Sequence, residues 1–205
     1  MDRRTAPEDE RRRRGGDGGD EDPDLPLLRR VAVGDGPACA ALVDRHLSGI
    51  VALAWRMLSD RSEAEDVAQE VFLRVWQNAG SWQEGRGRFS TWLHRVAVNL
   101  CLDRLRRRRE VGLEEAGDPP GDNPHPGRAL QAGAVAVRVQ EALGRLPERQ
   151  RTAIVLCHFQ DLGNTEAAAV MEIGVEALES LLSRGRRRLR ELLMEDAADL
   201  MGDFE

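Results

Sequence analysis

The densest chemistry in the chain lies between Arg88 and Arg109, RFSTWLHRVAVNLCLDRLRRRR. Phe89, Trp92, Leu93, Val96, Ala97 and Leu100 recur at the three- and four-residue steps of a buried helical face. Arg95, Asn99, Asp103 and Arg106 fall on a second, polar face, and the C-terminal end is a run of arginines. Such a helix suits a nucleic-acid strand: guanidinium groups hold phosphates, and an amide reads a base edge. The same pattern also fits a surface helix whose arginines complement its own dipole. Ser90 or Thr91 is expected to cap its start, because a hydroxyl there accepts from a free N–H of the first turn.

The elements around this helix are helical too. Leu27, Leu28 and Val31 open a short helix that stops at Gly34-Asp35-Gly36, and Pro37 starts the next. From Ala38 to Leu58 an apolar pattern runs through Leu42, Ile50, Leu53 and Met57, with Gly49 as a point of bending. Asp60 and Glu63 have capping-box spacing. They precede a regular stripe of Ala64, Val67, Ala68, Val71, Phe72 and Val75. Outside that stripe Leu73 and Trp76 sit beside Asp66, Gln69, Glu70 and Arg74. A large aromatic bordering acids marks either a protein-binding face or a ring that covers the edge of its own core. Residues 79–88, AGSWQEGRGR, read as a loop.

The chain has 205 residues, 41% hydrophobic and 32% charged, which suits a helix-rich globular protein. It lacks lysine, so every basic side chain is an arginine fork. A net charge of −6 argues against general DNA coating. The arginines nonetheless crowd at Arg104–Arg109 and Arg184–Arg190, two local cationic patches. The three cysteines lie far apart with no CxxC, which suits buried thiols in a reducing cytoplasm. No metal site or cofactor motif is visible. No run of 18 apolar residues or signal-peptide h-region is present, so no membrane contact is expected.

Residues 1–24 form a charged, Gly-rich arm expected to be disordered. Residues 110–128, with GDPPGDNPHPG, cannot sustain a helix and read as a flexible linker. The fold class is therefore all-α, with two small helical domains, 25–109 and 129–195, and an acidic tail at 196–205. In the second domain helices are expected at 129–146 and 148–158. Thr165–Met171, a break at Glu172-Ile173-Gly174 and a helix from Val175 to Leu193 then read as a helix-turn-helix. Leu178, Leu181, Leu182 and Leu189 pack its second helix, which leaves Ser180, Ser183, Arg184, Arg187 and Arg188 outward for a major groove.

Three blocks, DRSEAEDVAQEVFLRVWQNAGSW, FSTWLHRVAVNLCLDRLRRRR and LPERQRTAIVLCHFQDLGNTEAAAVMEIGVEALESLLSRGRRRLREL, resemble an extracytoplasmic-function sigma factor of the bacterial sigma-70 family. The resemblance covers Leu27 to Leu193, outside the tails and linker. It implies a promoter-melting domain, 25–109, and a helix-turn-helix domain for the −35 element, 129–195. Asp66, Gln69, Glu70 and Trp76 would dock on the β′ clamp helices of core RNA polymerase, with the β flap as a further contact. Arg95, Asn99, Arg106 and Arg107 would hold and read the −10 element beside the 79–88 loop. Glu179, Ser180, Ser183, Arg184 and Arg187 would face the −35 element. Arg106–Arg109 would clamp phosphates. A separate anti-sigma factor would control a cytoplasmic, non-enzymatic protein of stress-response type.

Several positions depart from the family pattern; Cys39 stands where many relatives carry phenylalanine. Glu172 occupies a turn position usually held by glycine, so the turn is expected to shift toward Gly174. Glu179 and Leu181 stand where relatives often carry basic residues, so Glu179 either accepts from a cytosine amine or weakens binding. Three rivals remain on sequence. Asp66 and Glu70 have the spacing of a magnesium pair, but no second acidic cluster faces them. A helix-turn-helix repressor explains only the second half, and a sigma mimic would sequester a regulator without supporting transcription.

Overall fold

The computed structural model describes residues 22–82, 87–114 and 132–202. Among them are eight α-helices: α1 (Leu25–Val31), α2 (Gly36–Leu58), α3 (Arg61–Asn78), α4 (Phe89–Glu114), α5 (Ala132–Gly144), α6 (Glu148–His158), α7 (Asn164–Met171) and α8 (Val175–Gly202). A 3-10 turn, Ala79–Ser81, follows α3. No strand occurs among the described residues.

Local signals account for most helix ends. Gly34 takes φ +84°, the left-handed turn that stops α1. Asp35 then caps α2, accepting from the Ala38 N–H at 3.1 Å. Asp60 caps α3, accepting from the Glu63 N–H at 3.0 Å. The reciprocal half of the box is missing, because the Glu63 carboxylate turns to Arg108 at 2.8 Å. α2 runs unbroken through Gly49. Gln160 Oε1 of the second half packs beside that glycine, 3.5 Å from where a Cβ would stand, a distance a side chain would also tolerate.

The cap of α4 comes from elsewhere. Neither Ser90 nor Thr91 serves it; the Asp22 carboxylate accepts from the Phe89 N–H. Order therefore begins before the expected boundary at residue 25. Asp24 is only 2% exposed and binds both Arg45 and His46 of α2. Burial raises its pKa, but His46 and then Arg45 outweigh that and hold the carboxyl below its usual range. This cluster also bears on α2, which is long and apolar enough to cross a membrane by length and composition. Asp44, Arg45 and His46 interrupt it, and two of them satisfy a buried acid, as a packed core helix requires.

Arg108 locks the first domain. It donates to Leu58 O at 3.1 Å, where α2 ends. It also meets Asp60 and Glu63 at the start of α3. It serves as a structural clamp and so leaves the set of phosphate ligands. Arg108→Ala should lower the domain's stability by about 2 kcal/mol, since it leaves the Leu58 carbonyl without its donor and removes the ion pairs to Asp60 and Glu63. Thermal melting followed by helicity checks this. Arg107→Ala should leave the midpoint in place, because Arg107 is exposed and has no hydrogen bond or ion pair among the described residues.

α4 continues to Glu114, beyond the boundary expected at Arg109, and α8 extends to Gly202, through much of the expected acidic tail. Residues 1–21 of the N-terminal arm, 115–128 of the linker and 129–131 at the expected start of the second domain lie outside the described residues. In the second half α6 is buried on six successive positions, Arg151–Leu156, because α8, α7 and α2 all pack on it. Gly185 permits the close approach of α8, since a Cβ there would stand 3.1 Å from Ile154 Cγ1.

Candidate nucleic-acid and polymerase interfaces

On α3 the stripe Ala64, Val67, Ala68, Val71 and Val75 is buried. Asp66, Gln69 and Trp76 stand exposed on the opposite side. Trp76 is 56% exposed and Leu73, between Gln69 and Trp76 on the same face, is 54% exposed. More than half of the ring thus faces outward, and Leu73 stands beside it on the same face, although the resemblance named only Asp66, Gln69, Glu70 and Trp76 for docking. The helical spacing of Leu73 from Asp66, seven residues, was the available signal. Glu70 differs from its neighbours. Arg74 meets it at 2.7 Å and Arg104 of α4 at 3.7 Å, so it is engaged within the domain. That also separates it from Asp66 as a metal ligand. Among the described residues no cluster of three or more His, Cys, Asp or Glu is placed to hold a metal.

The 79–88 segment is pinned at both ends by aromatic rings. Trp82 meets Phe89 and Trp92 edge-on at 5.6 and 5.7 Å, and Phe89 stacks on Trp92 at 5.8 Å. His46 adds a further edge contact to Phe89 at 5.7 Å. Residues 83–86 between these rings lie outside the described residues.

The polar face of α4 is where the structure adds most. Asn99 is exposed and Arg95 half-buried. Arg95 reaches the second domain, donating to Ala169 O at 2.8 Å and pairing with Glu172 at 3.3 Å. Asn99, Asp103, Arg106 and Arg109 line a cleft of about 360 Å³ whose far wall includes Glu148, Arg149 and Met171. Arg106 pairs with Asp103 at 3.0 Å. Arg109 crosses the cleft to Glu148 at 2.7 Å. Of the expected phosphate clamp Arg106–Arg109, Arg107 alone lacks an ion pair among the described residues. Val98, next to Asn99, is 2% exposed and lines the same cleft as Val170 and Met171.

The two domains thus meet along a seam. Gln140 Nε2 donates to Trp55 O at 3.1 Å and to Ser59 Oγ at 3.0 Å. Arg151, 7% exposed, donates to Met57 O of the first domain and to Gly144 O and Leu146 O of its own. The Arg56 guanidinium lies 3.7 Å from the centre of the Phe159 ring. Burial lowers the pKa of Arg151, with Glu148 opposing. His94, next to Arg95, is held below the usual histidine range by burial, against a hydrogen bond to Ser90 O at 2.7 Å.

Glu172 corrects an expectation. It takes φ 54°, ψ 44°, so the turn has not moved to Gly174. A non-glycine residue there costs about 1–2 kcal/mol. Its carboxylate faces Arg95 of the other domain, an interaction glycine cannot make. On α8, Leu178 and Leu182 are buried and Leu181 and Leu189 half-buried. Ser180, Ser183, Arg184 and Arg187 are exposed, with Arg184 Nε donating to Ser180 O at 3.2 Å. Arg184, Arg187 and Arg188 also line a depression shared with Arg145 and Gln150. Glu179 is exposed and accepts from Asn164 Nδ2 of α7 at 3.1 Å. The cysteines are unpaired, and burial pushes the Cys101 thiol up to about 12.

Two family models match in order, Sigma-70 region 2 over residues 42–111 and Sigma-70, region 4 over residues 136–189. The chain is 34% identical to the ECF RNA polymerase sigma factor SigW of Bacillus subtilis, over 82% of this chain and 95% of SigW. The structure of CnrH in complex with the cytosolic domain of CnrY aligns with a TM-score of 0.66 at 28% identity, covering 84% of this chain and 98% of CnrH. RpoE of Bartonella quintana, solved with the anti-sigma factor NepR, aligns with a TM-score of 0.64 at 26% identity, covering 76% of this chain and 96% of RpoE. Two ordered domain matches and near-complete coverage of SigW decide the assignment: the chain belongs to the extracytoplasmic-function sigma factors of the sigma-70 family.

Proposed function

We propose that this chain carries core RNA polymerase to promoters by three surfaces. The α3 face of Asp66, Gln69, Leu73 and Trp76 docks on the polymerase clamp, with Glu70 bracing it from within. Arg95, Asn99, Arg106 and Arg107 on α4 hold and read the −10 element. Glu179, Ser180, Ser183, Arg184 and Arg187 on α8 face the −35 element, and the second domain also meets the flap. These contacts place the protein with DNA in the cytoplasm. The observation that carries the reading is the placement of two cationic helical surfaces on separate domains, beside one exposed Leu73–Trp76 patch.

In this reading the described arrangement is a resting one. α7 sits on Arg95, and exposed Asn99 lines the cleft whose far wall is the second domain, so in this reading a promoter strand gains the whole α4 face only after the domains part. CnrH and RpoE are both solved with partner proteins, RpoE with an anti-sigma factor. A partner that holds this chain closed would act by the same contacts.

Base reading by α4 is tested by run-off transcription on single-base −10 variants at two salt concentrations. Asn99→Ala should lose about 1–3 kcal/mol on the preferred base and much less on others, because one amide both donates and accepts. Arg107→Ala should weaken all variants alike and flatten the salt slope by about one unit or less. A uniform loss for Asn99→Ala would remove it from base reading.

A further inference from the structure

The carboxylate of Glu179 is exposed on the second turn of α8, the helix that enters the groove if the second domain reads the −35 element. It sits beside Ser180 on a helix rich in arginine, yet it has no ion pair among the described residues. Its partner is neutral: Asn164, the first residue of α7, donates from Nδ2 at 3.1 Å. An ionised carboxylate only accepts hydrogen bonds. Phosphate oxygens only accept as well and carry like charge, so Glu179 cannot be a backbone contact. Among the base edges of the major groove the groups that donate to it are amines, N4 of cytosine and N6 of adenine.

We propose that Asn164 and Glu179 form one specificity element, in which Glu179 selects an amine-bearing base at one −35 position and Asn164 positions its carboxylate. This deepens the −35 assignment and rests on it. The amide bond restricts the long Glu179 side chain to one orientation before DNA arrives, so less rotamer freedom is lost on binding. Because the tether is an amide rather than a guanidinium, it leaves the charge unneutralised and the second oxygen available. A salt bridge at this place would have spent the group.

Holoenzyme made from the full chain and core polymerase is used to select from promoters with a randomised −35 box. Wild type should favour an amine-bearing base on the contacted strand at one position, by about tenfold over the bases that lack one. Glu179→Gln, of the same size and able to donate, should move that position toward adenine; Glu179→Lys should move it toward guanine. Asn164→Ala should reduce the preference at that position alone, and Asn164→Gln, which keeps the donor, should restore part of it. If holoenzyme selects a −35 box but the Glu179 variants keep the wild-type profile, the specificity element is overturned while the domain assignment stands. A uniform loss across all boxes for Asn164→Ala overturns its positioning role. Holoenzyme that selects no −35 box at all overturns the domain assignment itself.

Discussion

Asp66→Arg combined with Trp76→Ala should abolish stoichiometric binding of core RNA polymerase while helicity stays unchanged. Both side chains are exposed and neither belongs to the buried stripe, so the fold loses little. Trp76 supplies the largest apolar surface on this face, and truncating a buried aromatic anchor in an interface costs about 2 kcal/mol or more. Reversing a charge at a complementary patch suppresses association further. Together they should weaken binding about a hundredfold or more. Glu70 is left intact by design: its reversal would set arginine against Arg74 and Arg104 and loosen α3 from α4. Loss of binding in a Glu70 variant would therefore not separate docking from folding. Titration of labelled core polymerase is the measurement, and unchanged affinity of the double variant would remove α3 from the docking surface.

What the sequence made legible was local. The α3 stripe, the Asp60 cap and the outward serines of α8 follow from spacing along one helix, and the structure places them accordingly. What stayed hidden was made by residues distant in the chain. Asp22 caps α4 from 67 residues away. Arg108 looked like one more member of a basic run, yet it joins the end of α2 to the start of α3. Val98 belonged to no stripe of its own helix because α7 of the other domain helps to cover it. Periodicity reports which face of a helix is apolar, not which neighbour covers it. Glu172 failed for a different reason. Propensity rightly counts a left-handed glutamate as unfavourable. It carries no information about a cation across a domain boundary that can offset the cost.

The seam itself gives the last prediction: Gln140→Ala and Arg151→Leu should each open the two-domain arrangement. Gln140 makes its hydrogen bonds wholly to the first domain, at Trp55, Arg56 and Ser59. Its truncation thus leaves the second domain's own hydrogen bonds intact. Arg151 contributes more, since it is almost fully buried and satisfies Met57 O across the seam. Leaving a buried carbonyl unpaired costs about 1–3 kcal/mol, enough to shift a closed-to-open equilibrium by about 5- to 150-fold. The seam is also imperfectly satisfied as it stands. Arg95 Nε, Gln140 Oε1 and Arg151 Nε are buried without partners, and all three gain water when the domains part. Small-angle scattering of the full chain should show a larger radius of gyration for both variants. Binding of a single-stranded −10 oligonucleotide should tighten, because Arg95 is released from Ala169 and Glu172. Arg151 also ties Gly144 and Leu146 within its own domain, so helicity and melting must be followed beside it. Gln140→Ala is free of that complication. If its scattering and oligonucleotide affinity both match the parent chain, the seam does not restrain the α4 face, and access to the −10 element is governed elsewhere.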